Sequence, residues 1–150
     1  MSAVRTALAG VVSRIEAISC DTRYDRVQAY TYDDGAHDEA DLQHTRAFCV
    51  VDTGRRAQIG AQGADDSPSE TVAEFELRVV YTAGEDADEL RKVIAEDVDR
   101  LRYTLQAPTH LSGDGAILRT VGEAVIDLPD GEDDQTILTM PVAVRYRPSF

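Results

Sequence analysis

Apolar positions in this chain follow two periods, and the clearest is helical. From Asp86 to Gln106, Leu90, Val93, Ile94, Val98, Leu101 and Leu105 recur at helical spacing and form one stripe, the pattern of a helix laid on an apolar surface. Asp86 ahead of Glu89 makes a capping-box pattern that satisfies the first free amides of the helix, and Pro108 prevents its continuation. On the polar side Asp88 precedes Lys92 and Glu96 precedes Arg100 at ion-pair spacing, each pair worth about 0.3 kcal/mol when exposed. Val4, Leu8, Val11, Val12, Ile15 and Ile18 repeat the helical period, so Ala3 to Ser19 is predicted as a second amphipathic helix, weakened by Gly10.

The other patterned stretches alternate with period two. Asp21 to Tyr32 reads as a weak strand with Tyr24, Tyr30 and Tyr32 on one side. Arg46 to Thr53 carries the apolar run Phe48, Cys49, Val50 and Val51, suits a central strand, and is expected to pair with Val72 to Thr82. In that second strand Ala73, Phe75, Leu77, Val79 and Tyr81 face one way and Glu74, Glu76 and Arg78 the other, so one face is core and one is wet or an interface. Ile117 to Leu128 and Thr136 to Arg147 alternate as well, and Pro141 demotes the last strand to an edge or to a place where one side of the ladder is unpaired. The predicted fold is α+β: a small, mostly antiparallel sheet of 4-5 strands packed by two helices in the order α-β-β-β-α-β-β. Gly54 to Thr71, with three glycines, Arg55, Arg56, Asp65, Asp66 and Pro68, is much longer than a hairpin turn and reads as a protruding arm that touches a partner subunit.

Length and charge bound the functional classes. At 150 residues the chain is expected to form a single domain, 1–150, with no need of a disulfide or metal. Its longest apolar runs are a few residues and Met1 to Gly10 carries no signal-peptide pattern, so it is expected to stay in the compartment where it is made. Cys20 and Cys49 have no C-x-x-C spacing and read as reduced, buried thiols. A formal charge of -13 repels phosphate backbones and disfavours sequence-specific nucleic-acid binding. Lys92 is the only lysine and 18 Asp stand against 10 Glu, a composition that resembles the proteins of salt-in halophiles.

Chemistry finds little purchase. Asp33 to His44 reads as an exposed acidic loop. Its His37, Glu39 and His44 are ligand types, but no second ligand cluster or P-C-x-x-C accompanies them, and no metal or cofactor is expected. Arg55 and Arg56 lie beside glycines without the fingerprint of a phosphate loop. Pro129 to Asp134, with Glu132, Asp133 and Asp134, does not match calcium-loop spacing and reads as a solvated turn. No nucleophile with a base can be assembled, so no enzyme is expected.

Over nearly the whole chain the order of elements resembles the tail-terminator, or tail-completion, proteins of long-tailed bacteriophages and archaeal tailed viruses. The resemblance lies in Glu74 to Leu105, where a strand ending Val79-Val80-Tyr81 leads through Asp86 into a helix with Ala95-Glu96-Asp97-Val98, and in the closing strand Val142 to Arg147. It is one of topology and pattern, and the stretch Tyr24 to Tyr32 with its acidic loop is extra to it. The resemblance implies a homohexameric ring in the virion that stops tail-tube polymerisation, meets head-completion proteins of the neck, and performs no chemistry. Its partners are then the tail-tube protein and the neck proteins, and DNA passes its acidic lumen without specific binding. Candidate subunit-interface or lumen residues are Arg55, Arg56, Asp65, Asp66, Glu132, Asp133, Asp134, Arg145 and Arg147. Alternatives are another neck or tube ring component, such as a head-closure or tail-tube protein, and a cytoplasmic α+β enzyme or ligand-binding domain using His37, Glu39 and His44 or the arginine pair.

Overall fold

The alternating stretches join into one sheet, and both helical stripes pack on the same face of it. The computed structural model describes residues 2–19, 29–33, 46–59, 70–82, 87–106, 116–127 and 135–147. In chain order the elements are α1 (Ala3–Glu16), β1 (Thr31–Tyr32), β2 (Ala47–Ile59), β3 (Glu70–Thr82), α2 (Ala87–Gln106), β4 (Ala116–Val121), β5 (Val125–Asp127) and β6 (Gln135–Tyr146). The strands lie in the order β1-β2-β3-β6-β4, with β5 also paired to β6, six strands in all. Among the described residues only the short β1 runs parallel to its neighbour. The fold is α+β, as the periodicity predicts.

The core is what period two dictates. Ala73, Phe75, Leu77, Val79 and Tyr81 of β3 and Leu138, Met140, Val142, Val144 and Tyr146 of β6 are buried in one cluster with Ala7, Val11 and Ile15 of α1 and Leu90, Val93, Ile94, Leu101 and Leu105 of α2. A smaller cluster of Ala47, Val80 and Ile137 lies on the opposite face. Cys49 is also buried, and burial pushes its thiol above the usual range. Cys20 lies outside the described residues.

Several expectations shift for local reasons. α1 starts where Ser2 accepts the Arg5 amide at 3.4 Å, but it stops at Glu16, short of Ser19: the Ile18 amide turns back to the Ile15 carbonyl, and Ser19 bridges to Ala29 instead. Of the weak strand at Asp21 to Tyr32, the structure has Thr31–Tyr32 and that bridge, with 20–28 outside the described residues. The stretch Ile117 to Leu128 is broken into β4 and β5 at Gly122. There the Gly122 amide donates to the Pro141 carbonyl at 2.8 Å, and a Cβ on Gly122 would lie 2.5 Å from the Pro141 ring. Pro141 therefore sits on a central strand, with its missing donor at the gap between β4 and β5. Of the arm expected over Gly54 to Thr71, 54–59 belong to β2 and 70–71 to β3, while 60–69 lie outside the described residues.

α2 carries a charge inside its stripe. Asp97 is fully buried between Ile94 and Leu101, beside Val98, which is half-buried against the same core. Arg46 answers it with two hydrogen bonds, at 2.8 and 3.0 Å, while the Tyr81 hydroxyl donates at 2.7 Å and Arg100 at 2.9 Å. Burial, then the neighbouring Tyr30 and Asp97, holds the Tyr81 phenol well above its usual pKa. Arg46 itself adopts a left-handed φ of 63°, a conformation that L residues rarely keep unless their surroundings fix them. Here its amide donates to Val80 and its carbonyl accepts from Thr31, so the backbone is fixed from both sides.

The far end of α2 has no basic residue in its last turn, so other elements supply the cations its free carbonyls attract. Arg14 of α1 donates to the Thr104 carbonyl and Arg119 of β4 to that of Leu105. Burial, with the nearby charge of Arg14, pulls Arg119 down to about 10. Arg102 reaches the Val121 and Gly122 carbonyls and ties the helix to the β4 end.

Candidate functional site

β2 changes character at Asp52. Its first residues are buried, whereas every residue from Asp52 to Ile59 is exposed. The change coincides with a break in register: Asp52 pairs with Phe75, yet Arg56 pairs with Ala73. Side chains fasten this bulge. The Asp52 carboxylate accepts the Gly54 amide at 2.9 Å, the Thr53 hydroxyl donates to the Glu74 carbonyl at 2.8 Å, and Gly54 takes a φ of 79° that its missing Cβ permits. Arg56 then returns to Asp52 with bonds of 2.9 and 2.6 Å, and its guanidinium lies 6.0 Å from the Phe75 ring centre. The hydrogen bond from Arg56 holds the Asp52 carboxyl below its usual range, against a smaller opposing effect of burial.

On the face away from the helices the same end of the sheet carries a ladder of opposite charges. Arg55, with 79% of its side chain exposed, lies 3.4 Å from Glu74 of β3. Arg145 of β6 pairs with Glu70, and Arg147 approaches the same carboxylate at 4.0 Å. Arg78 and Glu76 continue the row at 2.8 Å. Of the residues singled out from the sequence, the fold thus gathers Arg55, Arg56, Arg145 and Arg147 at one end of the sheet. Asp65, Asp66, Glu132, Asp133 and Asp134 lie outside the described residues, as do His37, Glu39 and His44.

The partners of these arginines are not legible as a set: Glu74 reads as the polar side of a strand, Asp52 as a polar residue closing the apolar run, and Glu70 falls in the connection expected over Gly54 to Thr71. Charge has a further order. The described residues hold thirteen acids and thirteen bases, so the whole surplus of -13 belongs to the stretches between the elements. A neutral, internally paired framework presents the sheet end to its surroundings without net repulsion.

Two other places gather polar side chains. A groove of about 460 Å3 is lined by Arg14, Ala17, Ile18, Ser19, Arg100 and Thr104. Its arginines already serve the Thr104 carbonyl and Asp97, and the end of α2 beside them is a poor setting for an anion. The buried Arg46–Asp97–Tyr81 set faces the core and joins α2 to β2 and β3, which is a structural task. Among the described residues, no three His, Cys, Asp or Glu side chains are grouped to hold a metal ion. None of the described helices is long and apolar enough to cross a membrane. No known protein family and no curated protein matches the chain.

Proposed function

We propose that this chain is a structural subunit of a virion: a tail terminator that assembles into a homohexameric ring, caps the tail tube, ends its polymerisation and joins the tail to the neck. The observation that carries the reading is the outer half of β2, exposed on both faces and, among the described residues, an edge of the sheet, whereas its neighbour β3 buries every second residue. Such an edge is a contact surface awaiting another chain. The order of elements agrees with the resemblance set out above. The neutral framework lets copies approach, while the acidic stretches, including Glu132, Asp133 and Asp134, give a lumen that repels DNA.

Light scattering and negative-stain microscopy of the purified chain in molar KCl test this directly. A sixfold ring that halts growth of the tail-tube protein is the expected result, and a monomer that neither forms rings nor affects tube growth overturns it. A ring placed elsewhere in the virion assigns the chain to another neck or tube component. Reversing Glu132, Asp133 and Asp134 to lysine tests the lumen separately, since unchanged assembly and DNA ejection would remove that part.

A further inference from the structure

The sheet ends in two edges, and they lie at the same level. Reading straight across, Arg56 pairs with Ala73, Ala73 with Val144 and Val144 with Arg119; in the next row Ala57 pairs with Val72, Val72 with Arg145 and Arg145 with Leu118. Among the described residues, no strand covers the outer side of Arg56 to Ile59 or of Leu118 to Val121. The amides of Gly54 and Arg55 are taken by the Asp52 and Thr53 side chains, so the run open to pairing begins at Arg56. Resting on the ring reading above, we infer that Arg56 and Ala57 of one copy hydrogen-bond to Arg119 and Leu118 of the next, so that the sheets of neighbouring subunits run on as one.

Direction, face and surface chemistry agree on this occupant. β2 is antiparallel to β3, β3 to β6 and β6 to β4, so β2 and β4 run in opposite directions. A copy displaced sideways, with its helices on the same side, brings its β4 antiparallel to β2, the better-bonded arrangement. On the face away from the helices this sets Ala57 beside Leu118, with Ile59 one pair further along. Leu118 and Ile59 are 49% and 41% exposed, and the contact gives both an apolar neighbour. On the helix side it sets Arg56 near Arg119, and both are already engaged, by Asp52 and by the Leu105 carbonyl. Pairing β2 with β2 about a twofold axis would leave Leu118 and the β4 edge bare in both copies. Joining unlike edges uses both, and a head-to-tail contact of this kind is the one that generates a ring.

The test is cysteine cross-linking in molar KCl, in chains with Cys20 and Cys49 replaced by alanine. One chain carries Ala57→Cys, another Leu118→Cys and a third Thr120→Cys, the last to allow a slip of two residues. The expected result is a disulfide dimer when the Ala57→Cys chain is mixed with either partner, none from any chain alone, and a ladder ending at the ring number when both cysteines are on one chain. Rings that give no mixed cross-link, or an Ala57→Cys chain that cross-links to itself, overturn the edge pairing and leave the ring standing. A monomer by light scattering overturns both. The exposed substitutions Leu118→Lys and Ala57→Glu give a second measurement on a folded chain, monitored by circular dichroism. Leu118→Lys alone should abolish assembly and a mixture with Ala57→Glu should restore it; assembly unaffected by Leu118→Lys would sink the inference.

Discussion

From Ala47 to Val50 the strand β2 is buried at every position, and from Asp52 to Ile59 it is exposed at every position. The first half lies between β1 and β3, under the helices on one face and beside the small Ala47–Val80–Ile137 cluster on the other. The second half has β3 on one side and, among the described residues, no strand on the other. Each half is fastened by an arginine–aspartate pair with two hydrogen bonds, yet the settings differ: Arg46 and Asp97 are 2% and 0% exposed, Arg56 and Asp52 32% and 42%. The same chemistry has opposite consequences there. In the interior the pair is a commitment, because either charge left alone is costly. At the surface water takes over whatever a missing partner gave, and the contact chiefly shapes the bulge.

The largest effect that follows is at Asp97. Asp97→Ala leaves Arg46 buried without its counter-charge and should cost about 3–5 kcal/mol, read from the shift in urea midpoint. Replacing both partners with apolar residues, as in Arg46→Met with Asp97→Leu, should recover most of that loss, because it is the lone charge that is expensive. A double variant no more stable than Asp97→Ala would mean that the network contributes net stability of its own. Leu101→Ala, in the fully buried stripe of the same helix, should cost about 2–5 kcal/mol through lost packing and the cavity it leaves. The same measurement checks it, and neither change should act through the sheet end.

How far the sequence revealed this contrast depended on the kind of signal. Alternation marked β3 and β6 almost to the residue, since their two faces meet such different surroundings. The stripe of α2 is equally plain and includes Val98, but it gives no sign that Asp97 beside it is buried as well. A carboxylate at core spacing reads as polar until its partners are known, and Arg46 lies fifty-one residues away. Arg100, three residues from Asp97 on the same helix, donates to that buried carboxylate as well, a bond that depends on Asp97 being turned inward. The outer half of β2 reads as loop from the sequence because it opens on a glycine and lacks apolar alternation; side-chain bonds around the bulge and the β3 ladder make it strand. Arg55, Arg56, Arg145 and Arg147 could be picked out by charge, but their convergence follows from register, which composition does not contain.

The break between β4 and β5 offers a test of intermediate size. Gly122→Ala would bring a methyl to 2.5 Å from the Pro141 ring, a contact that backbone or ring must relieve by moving. Overpacking of this kind should cost about 1–3 kcal/mol. It should also loosen the pairing of Val121 with Val142 beside it, which hydrogen exchange of the β4 amides would register. Exchange unchanged in β4, with stability lost, would place the strain in β5 instead.

The smallest effect belongs to the exposed pair, and pH separates it from the buried one. The folded protein holds the Asp52 carboxyl below its usual 3.8, chiefly through the hydrogen bond from Arg56. A lowered acid pKa stabilises the fold above the unfolded value and gives that stability up as the pH falls through the folded value. Asp52→Asn keeps an oxygen for the Gly54 amide and removes only the charge, so the bulge should persist. At pH 6 the variant should lose less than about 1 kcal/mol, as exposed pairs do, and the deficit should shrink further in molar KCl. As the pH falls below 3.8 and on through the lowered folded value the deficit should shrink toward the parent chain, because the parent carboxyl takes up its proton too. Urea midpoints at pH 6 and pH 3, each at low and high salt, decide the matter. A deficit as large as that of Asp97→Ala, or one that survives acid and salt, would mean that the outer half of β2 is not held as a surface at all.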